Sequence, residues 1–341
     1  MEKVEKKRID WIDTLRGLAM FFVVWGHNQK FGTLIRKYIY SFHMPLFFFI
    51  SGLTFGENDK LPFKDYAKKR VKGLIIPYLF LNIICYIIKV VYFNTGIIDE
   101  FDYIRAFLGI FYSSNKILPT PCNPSWFLVA IFLVDIIFYL LKKCTKNDFE
   151  LGVVSIICAL ISYVNSLSKY QIRSPFHLES VLMGVLFYFL GYLFIKNIKK
   201  FDFILKDKLR MLLYGLTLGG IGFITAYVNR RASMDANLYG SLTLFLLSSF
   251  CSILGFVLFV NIFLKKSHFL KTIGQNTIFY LGYHYMFALI IMKFYTKLFN
   301  SNIYTLLISI GMTIVLYPLS ILVKKYCPIL IGKVNIKALN W

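Results

Sequence analysis

The chain has 341 residues, 57% hydrophobic and 18% aromatic, with 39 Lys and Arg against 17 Asp and Glu. Soluble domains run nearer to roughly 45–50% apolar, and long apolar runs recur here from Leu15 to Val323 with no polar block large enough for a separate soluble domain. A net charge of +22 would point to nucleic acid on a soluble protein, but the cations fall in short segments between apolar runs, so membrane topology accounts for them and a nucleic-acid partner is excluded.

Apolar run length predicts ten spans, at approximately 12–28, 40–57, 74–93, 125–141, 149–165, 178–195, 211–228, 241–264, 276–292 and 303–323. The expected fold is all-α, a polytopic membrane helical bundle occupying 1–341 as a single integral-membrane domain, with the lipid bilayer as its solvent. Loop charge sets its orientation. With the N-terminus in the cytosol, the inside segments hold 26 Lys and Arg and the outside segments 11, and the excess holds at every alternation. Both termini are therefore expected in the cytosol. The start, MEKVEKKR before an apolar run, lacks a small-x-small cleavage site and is expected to be a retained first helix. Richness in Lys, Ile, Asn, Phe and Tyr fits a bacterium with an AT-rich genome, and hence its cell membrane.

The first span carries Arg16 and His27. Eleven residues at 100° each return to within about 20° of one helix face, roughly 16 Å apart along the axis. A cation and a titratable imidazole at membrane depth cost several kcal/mol unless they have a partner or a role. Two readings are open. Arg16 snorkels to headgroups or pairs with Asp13 while His27 bonds a neighbouring helix, or one face carries a cation near one surface and a base or nucleophile deeper in.

Further along, His43 sits in Phe42-His-Met-Pro-Leu-Phe-Phe-Phe-Ile-Ser-Gly52, where Pro45 permits a kink and Ser51-Gly52 permits close packing. The run Lys68-Lys-Arg-Val-Lys72 is either a stop-transfer cluster or a phosphate-binding one. The loop at about 94–124 ends in Pro119-Thr-Pro-Cys-Asn-Pro124, a density of proline that favours a fixed, extended segment. Trp126 opens the next span as an interfacial anchor or a binding surface. Glu179 stands near an outer span end, as a rim charge or a site carboxylate. His284 is as readily a satisfied core histidine as a cavity-lining one. The six cysteines form no C-x-x-C pair and imply neither a disulfide framework nor a zinc site. No motif supports ATP-driven transport, dinucleotide chemistry, zincin proteolysis or α/β-hydrolase chemistry.

Taken in order, Ile12-Asp-Thr-Leu-Arg-Gly17, Arg16 to His27 as R-x10-H, the His43 segment, Arg70 followed by Pro77-Tyr78, Ser125-Trp-Phe-Leu128, Phe189-Leu-Gly-Tyr192 and Asn276 with His284 resemble the integral-membrane acyltransferase 3 family, near its fucose 4-O-acetylase-like bacterial members. The resemblance covers nearly the whole chain. It implies transfer of an acyl group, acetyl by default, from cytosolic acyl-coenzyme A to a hydroxyl of an extracytoplasmic or lipid-linked surface polysaccharide, as an O-acetyltransferase. It places Arg16 and His27 as the catalytic pair. The family's R-x-x-R maps onto Arg70, but Gly73 stands at the second Arg, with Lys72 beside it as a point charge. Some members carry a C-terminal esterase-like domain. This chain runs about eighteen residues past its last span, so a hand-off of that kind is expected to need a separate protein.

Both lines join in one expected site. Arg16, Arg70 and Lys72 bind the phosphates of acyl-coenzyme A, the donor substrate. His43, Trp126, Glu179 and His284 contact the acceptor. His27 is general base or covalent acyl carrier. No metal and no permanently bound cofactor is implied. The alternatives are a glycan or small-solute exporter without chemistry, and a non-catalytic assembly partner.

Overall fold

The computed structural model describes residues 9–30, 32–56, 58–114, 117–295 and 301–333. Lys3, Lys6, Lys7, Arg8, Lys116, Lys297 and Lys337, which entered the charge count, lie outside the described residues. The chain is helical throughout, with no strand among the described residues.

The first half runs through α1 (Asp10–Asn28), α2 (Leu34–Leu53), α3 (Phe63–Arg70), α4 (Ile76–Asn94), α5 (Tyr103–Tyr112), α6 (Trp126–Cys144) and α7 (Asp148–Leu167). The second half holds α8 (Leu178–Lys196), α9 (Asp202–Leu205), α10 (Lys208–Val228), α11 (Leu242–Phe259), α12 (His268–Gln275), α13 (Thr277–Phe294) and α14 (Asn302–Tyr326). Side chains placed for capping start several of them. Thr33 accepts the Arg36 N–H, Asn147 the Glu150 N–H and Ser267 the Leu270 N–H, each filling an orphan donor of the first turn.

Among the described residues, eight helical stretches are long and apolar enough to cross a membrane. They coincide with all the predicted spans except the first two. α1 and α2, of 19 and 20 residues, are long enough but more polar. They occupy the middle of the bundle. α1 packs on α2, α12, α13 and α14, and α2 packs on α8, α10 and α11. Polar groups at membrane depth are tolerated there because protein, rather than lipid, surrounds them. The apolar outward faces belong elsewhere: Ile157 and Val164 on α7, Leu216 and Ile224 on α10, Leu307 and Ile314 on α14 are exposed and suit acyl chains.

Two glycine pairs set the central contacts. A Cβ at Gly17 would overlap the Leu270 carbonyl, and one at Gly274 the Asp13 carbonyl, so α1 and α12 meet backbone to backbone. Gly52 meets the Tyr188 carbonyl and Gly191 the Phe49 carbonyl in the same reciprocal way between α2 and α8. Small residues permit such approach, and the lost volume returns as dispersion contacts between the backbones.

Three expectations are corrected. The second span begins at Leu34 rather than near residue 40, so Arg36 and Lys37 are helical. The basic run 68–72 is not a loop before the third span. α3 continues into α4 through a π-turn at Val71–Ile75, giving one helix from Phe63 to Asn94. Tyr66 anchors it, fully buried and stacked on Tyr139 at 4.8 Å. The loop at 94–124 is not wholly extended, since Tyr103–Tyr112 forms a helix too short to span. Its Ala106, Gly109 and Ile110 are buried, while Ile104, Phe107 and Phe111 present an apolar outer face.

Candidate active site

α1 carries a cavity at each end. One, of about 670 Å³, is lined by Asp13, Arg16, Arg70, Gln275 and Lys333. The other, of about 570 Å³, is lined by His27, Arg36, Tyr40, His43, Trp126 and Asp235. Phe47 of α2, Phe127 of α6 and Leu281 of α13 line both. The two chambers are therefore back to back, and these three apolar side chains form the wall between them.

In the Arg16 chamber each arginine is held by a carboxylate. Arg16 Nη1 lies 3.2 Å from Asp13 Oδ1, one turn away on α1. The second oxygen of Asp13 accepts from Gln275 Nε2 at 3.0 Å, which fixes the pair against α12. Arg70 is ion-paired to Asp135 of α6. Asp135 is fully buried and also accepts from Tyr188 at 2.7 Å and Tyr66 at 3.4 Å. A buried carboxylate is tolerated when it is paired and hydrogen-bonded. The three contacts orient the guanidinium at the chamber wall.

The His27 chamber contains imidazoles. His43 and His284 each place Nδ1 against the carbonyl one helical turn back, Ile39 at 2.8 Å and Tyr280 at 2.6 Å. A carbonyl only accepts, so Nδ1–H donates, and in the neutral ring Nε2 carries the lone pair. The His284 ring is fully buried and meets the half-buried His27 ring edge-on, with centroids 5.2 Å apart. Tyr40 and Tyr285 stand 6.3 and 6.1 Å from His27. The His27 ring thus faces a chamber with polar and aromatic walls.

The rim of this chamber is tied down. The buried Asn82 side chain of α4 donates to Ser125 Oγ at 2.8 Å and accepts from the Cys122 N–H at 3.1 Å, which seats the proline-rich segment and aims Trp126. The loop between α10 and α11 closes on itself through Ser233 and Leu238, and Asn229 receives the Arg230 and Ser241 N–H groups at 2.8 and 2.9 Å. Ser180 of α8 bonds its Met234 carbonyl, and Arg173 its Ala236 carbonyl at 2.8 Å.

Of the residues expected in the site, Arg16 and Arg70 share one chamber, and His27, His43 and Trp126 share the other. His284 backs His27 and does not line either chamber. Lys72 is exposed in the π-turn and lines neither, while Lys333 lines the Arg16 chamber. Glu179 lines neither. It is buried, and its carboxylate accepts from the Ser174 backbone and hydroxyl, so it holds the chain entering α8. Asp135 is the main residue that pattern reading passes over, although a carboxylate mid-span is the same signal that singles out Arg16. Arg36, Arg231 and Asp235 give no such signal, because helix ends and loops normally carry polar residues, and Tyr40 and Tyr285 give none because tyrosines are frequent within the apolar runs of this chain.

Residues 9–322 match a family model described as an acyltransferase domain. No curated protein and no solved structure matches the chain.

Proposed function

Because the chain belongs to the acyltransferase 3 family, and is thus a multi-pass membrane acyltransferase, we propose that it moves an acetyl group from acetyl-coenzyme A to a hydroxyl of an extracytoplasmic or lipid-linked surface glycan. The observation that carries this reading is the pair of chambers on α1, with Arg16 in one and His27 in the other. The Arg16 chamber opens to the cytosol in this reading, in line with the loop charges, and its cations take the phosphates of the donor. The ~16 Å of helix between Arg16 and His27 suits the long, thin pantetheine arm. Its thioester reaches the wall at Phe47, Phe127 and Leu281, and the acceptor hydroxyl comes from the other side.

At His27 the chemistry takes one of two balanced courses. As general base, its ring nitrogen takes the hydroxyl proton while the oxygen adds to the thioester carbonyl. The tetrahedral adduct collapses, the C–S bond breaks, and the thiolate of coenzyme A leaves to be protonated by the imidazolium. Such proton removal contributes ~10²–10⁴-fold. As acyl carrier, the same nitrogen attacks first, expels the thiolate, and passes the acetyl group to the hydroxyl. In both courses the buried His284, with Nδ1 committed to Tyr280, packs edge-on against the His27 ring and helps to hold it at the chamber.

The test is proton NMR of surface polysaccharide from three strains: gene deleted, restored with the native gene, and restored with His27→Ala at equal membrane protein. Loss of one O-acetyl signal in the first and third, at equal glycan, is the expected result. An unchanged O-acetyl pattern with less glycan exported would replace this reading with an exporter.

A further inference from the structure

The charges of the His27 chamber say what kind of acceptor it takes. Its lining includes three cations, Lys30, Arg36 and Arg231, and one carboxylate, Asp235. The Arg16 chamber is also lined by three cations, Arg16, Arg70 and Lys333, with Asp13 beside Arg16 and the buried Asp135 behind Arg70. The latter fits a donor rich in phosphate. A neutral sugar is bound by hydrogen-bonding groups and an aromatic face and gains nothing from net positive charge.

These cations converge from two separate segments. Lys30 and Arg36 flank the turn between α1 and α2, and Arg231 comes from the loop between α10 and α11. Arg36 is fixed in place, donating to the Gln29 carbonyl at 2.6 Å and the Tyr40 hydroxyl at 3.0 Å, with its guanidinium 4.5 Å over the Tyr40 ring. The Arg231 loop is pinned by α8 and by its own Asn229, as described above. Asp235 is engaged by the Ser233 hydroxyl two residues away. A concave site with low-dielectric walls focuses the field of such charges on whatever occupies it.

Resting on the acyltransferase reading of the same chamber, we propose that the acceptor is an anionic glycan, bearing a phosphate ester or a carboxylate next to the accepting sugar, and that Arg231, Arg36 and Lys30 select it. The shared chemistry is a compact oxyanion held by guanidinium and ammonium groups.

The test uses the full chain in nanodiscs of neutral phosphatidylcholine and three probes with one short isoprenoid tail: a hexosyl phosphate, a hexuronoside and a neutral hexoside. Equilibrium binding and transfer from labelled acetyl-coenzyme A are measured separately. The expected result is roughly tenfold tighter binding of one or both anionic probes, since a charged hydrogen bond is worth about that ratio. The preference should shrink toward one in Arg231→Gln, persist in Arg231→Lys, and weaken in 0.5 M salt. Which probe shows it separates phosphate from carboxylate. Equal binding of all three, or preference for the neutral one, overturns the proposal. So does a preference that vanishes when phosphatidylglycerol is added and is replaced by bound phosphatidylglycerol, which would assign the cations to lipid headgroups. Anionic preference in binding without acetyl transfer upholds the selection of an anionic glycan by these cations and removes the acyltransferase reading of the site. Transfer without preference does the reverse.

Discussion

The two chambers are each lined by three cations but are built differently. In the Arg16 chamber the arginines stand on helices, and each is gripped by a carboxylate, Asp13 or Asp135, that is itself hydrogen-bonded. α1 is locked to α12 there by backbone contact at Gly17 and Gly274. In the His27 chamber the imidazoles stand on helices, and of the cations Arg36 stands on the first turn of α2 while Lys30 and Arg231 come from a turn and a loop. Helical positions hold geometry, while loops tolerate change. On the proposed reading, donor binding and chemistry rest on packed helices, while Lys30 and Arg231 offer charge to the acceptor from segments that can vary without disturbing the core.

Removing the imidazole is the strongest way to break the comparison. His27→Ala should lower acetyl transfer by ~10²–10⁴-fold, while acetyl-coenzyme A binding to the Arg16 chamber is retained, measured by isothermal titration in nanodiscs. Equal loss of both would mean that the chambers are not separate in function.

Next comes the grip on Arg70. Asp135→Ala leaves a partly buried guanidinium without its carboxylate and should cost ~1–3 kcal/mol of stability together with donor affinity. Arg70→Met combined with Asp135→Leu should recover melting temperature but not donor affinity. Recovery of both would make the pair purely structural.

The glycine contacts come third. Gly274→Ala pushes a methyl into the Asp13 carbonyl and should destabilise by ~1–3 kcal/mol through overpacking. Gly73, in the π-turn, has open space where its Cβ would sit, so Gly73→Ala should leave the melting temperature level or slightly raised, by ~1 kcal/mol or less.

The smallest effect is expected at the wall. Phe127→Leu loses part of a ring shared by both chambers and should cost under ~1.5 kcal/mol. Its sharper consequence is leakage: hydrolysis of acetyl-coenzyme A in the absence of acceptor should rise, read by free thiol release. No rise would place the barrier between the chambers at other residues.

The sequence by itself determined the helical class and nearly every span, because apolar run length is a local property and the bilayer demands helices. It also marked Arg16 and His27 by their cost at membrane depth, His43 by its proline-bearing span, and Arg70 by the basic run it sits in and the family resemblance. Their grouping was decided by tertiary structure. Phe47, Phe127 and Leu281 come from three helices distant in sequence, and nothing in their local pattern says that they meet. Asp135 became Arg70's partner only because α3 runs on through a π-turn beside α6. Glu179 was legible as a costly carboxylate, yet the backbone entering α8 bent Ser174 onto it and so took it out of the site. Run length and charge cost are read along one chain. Who pays the desolvation of a buried charge depends on which helix is packed alongside.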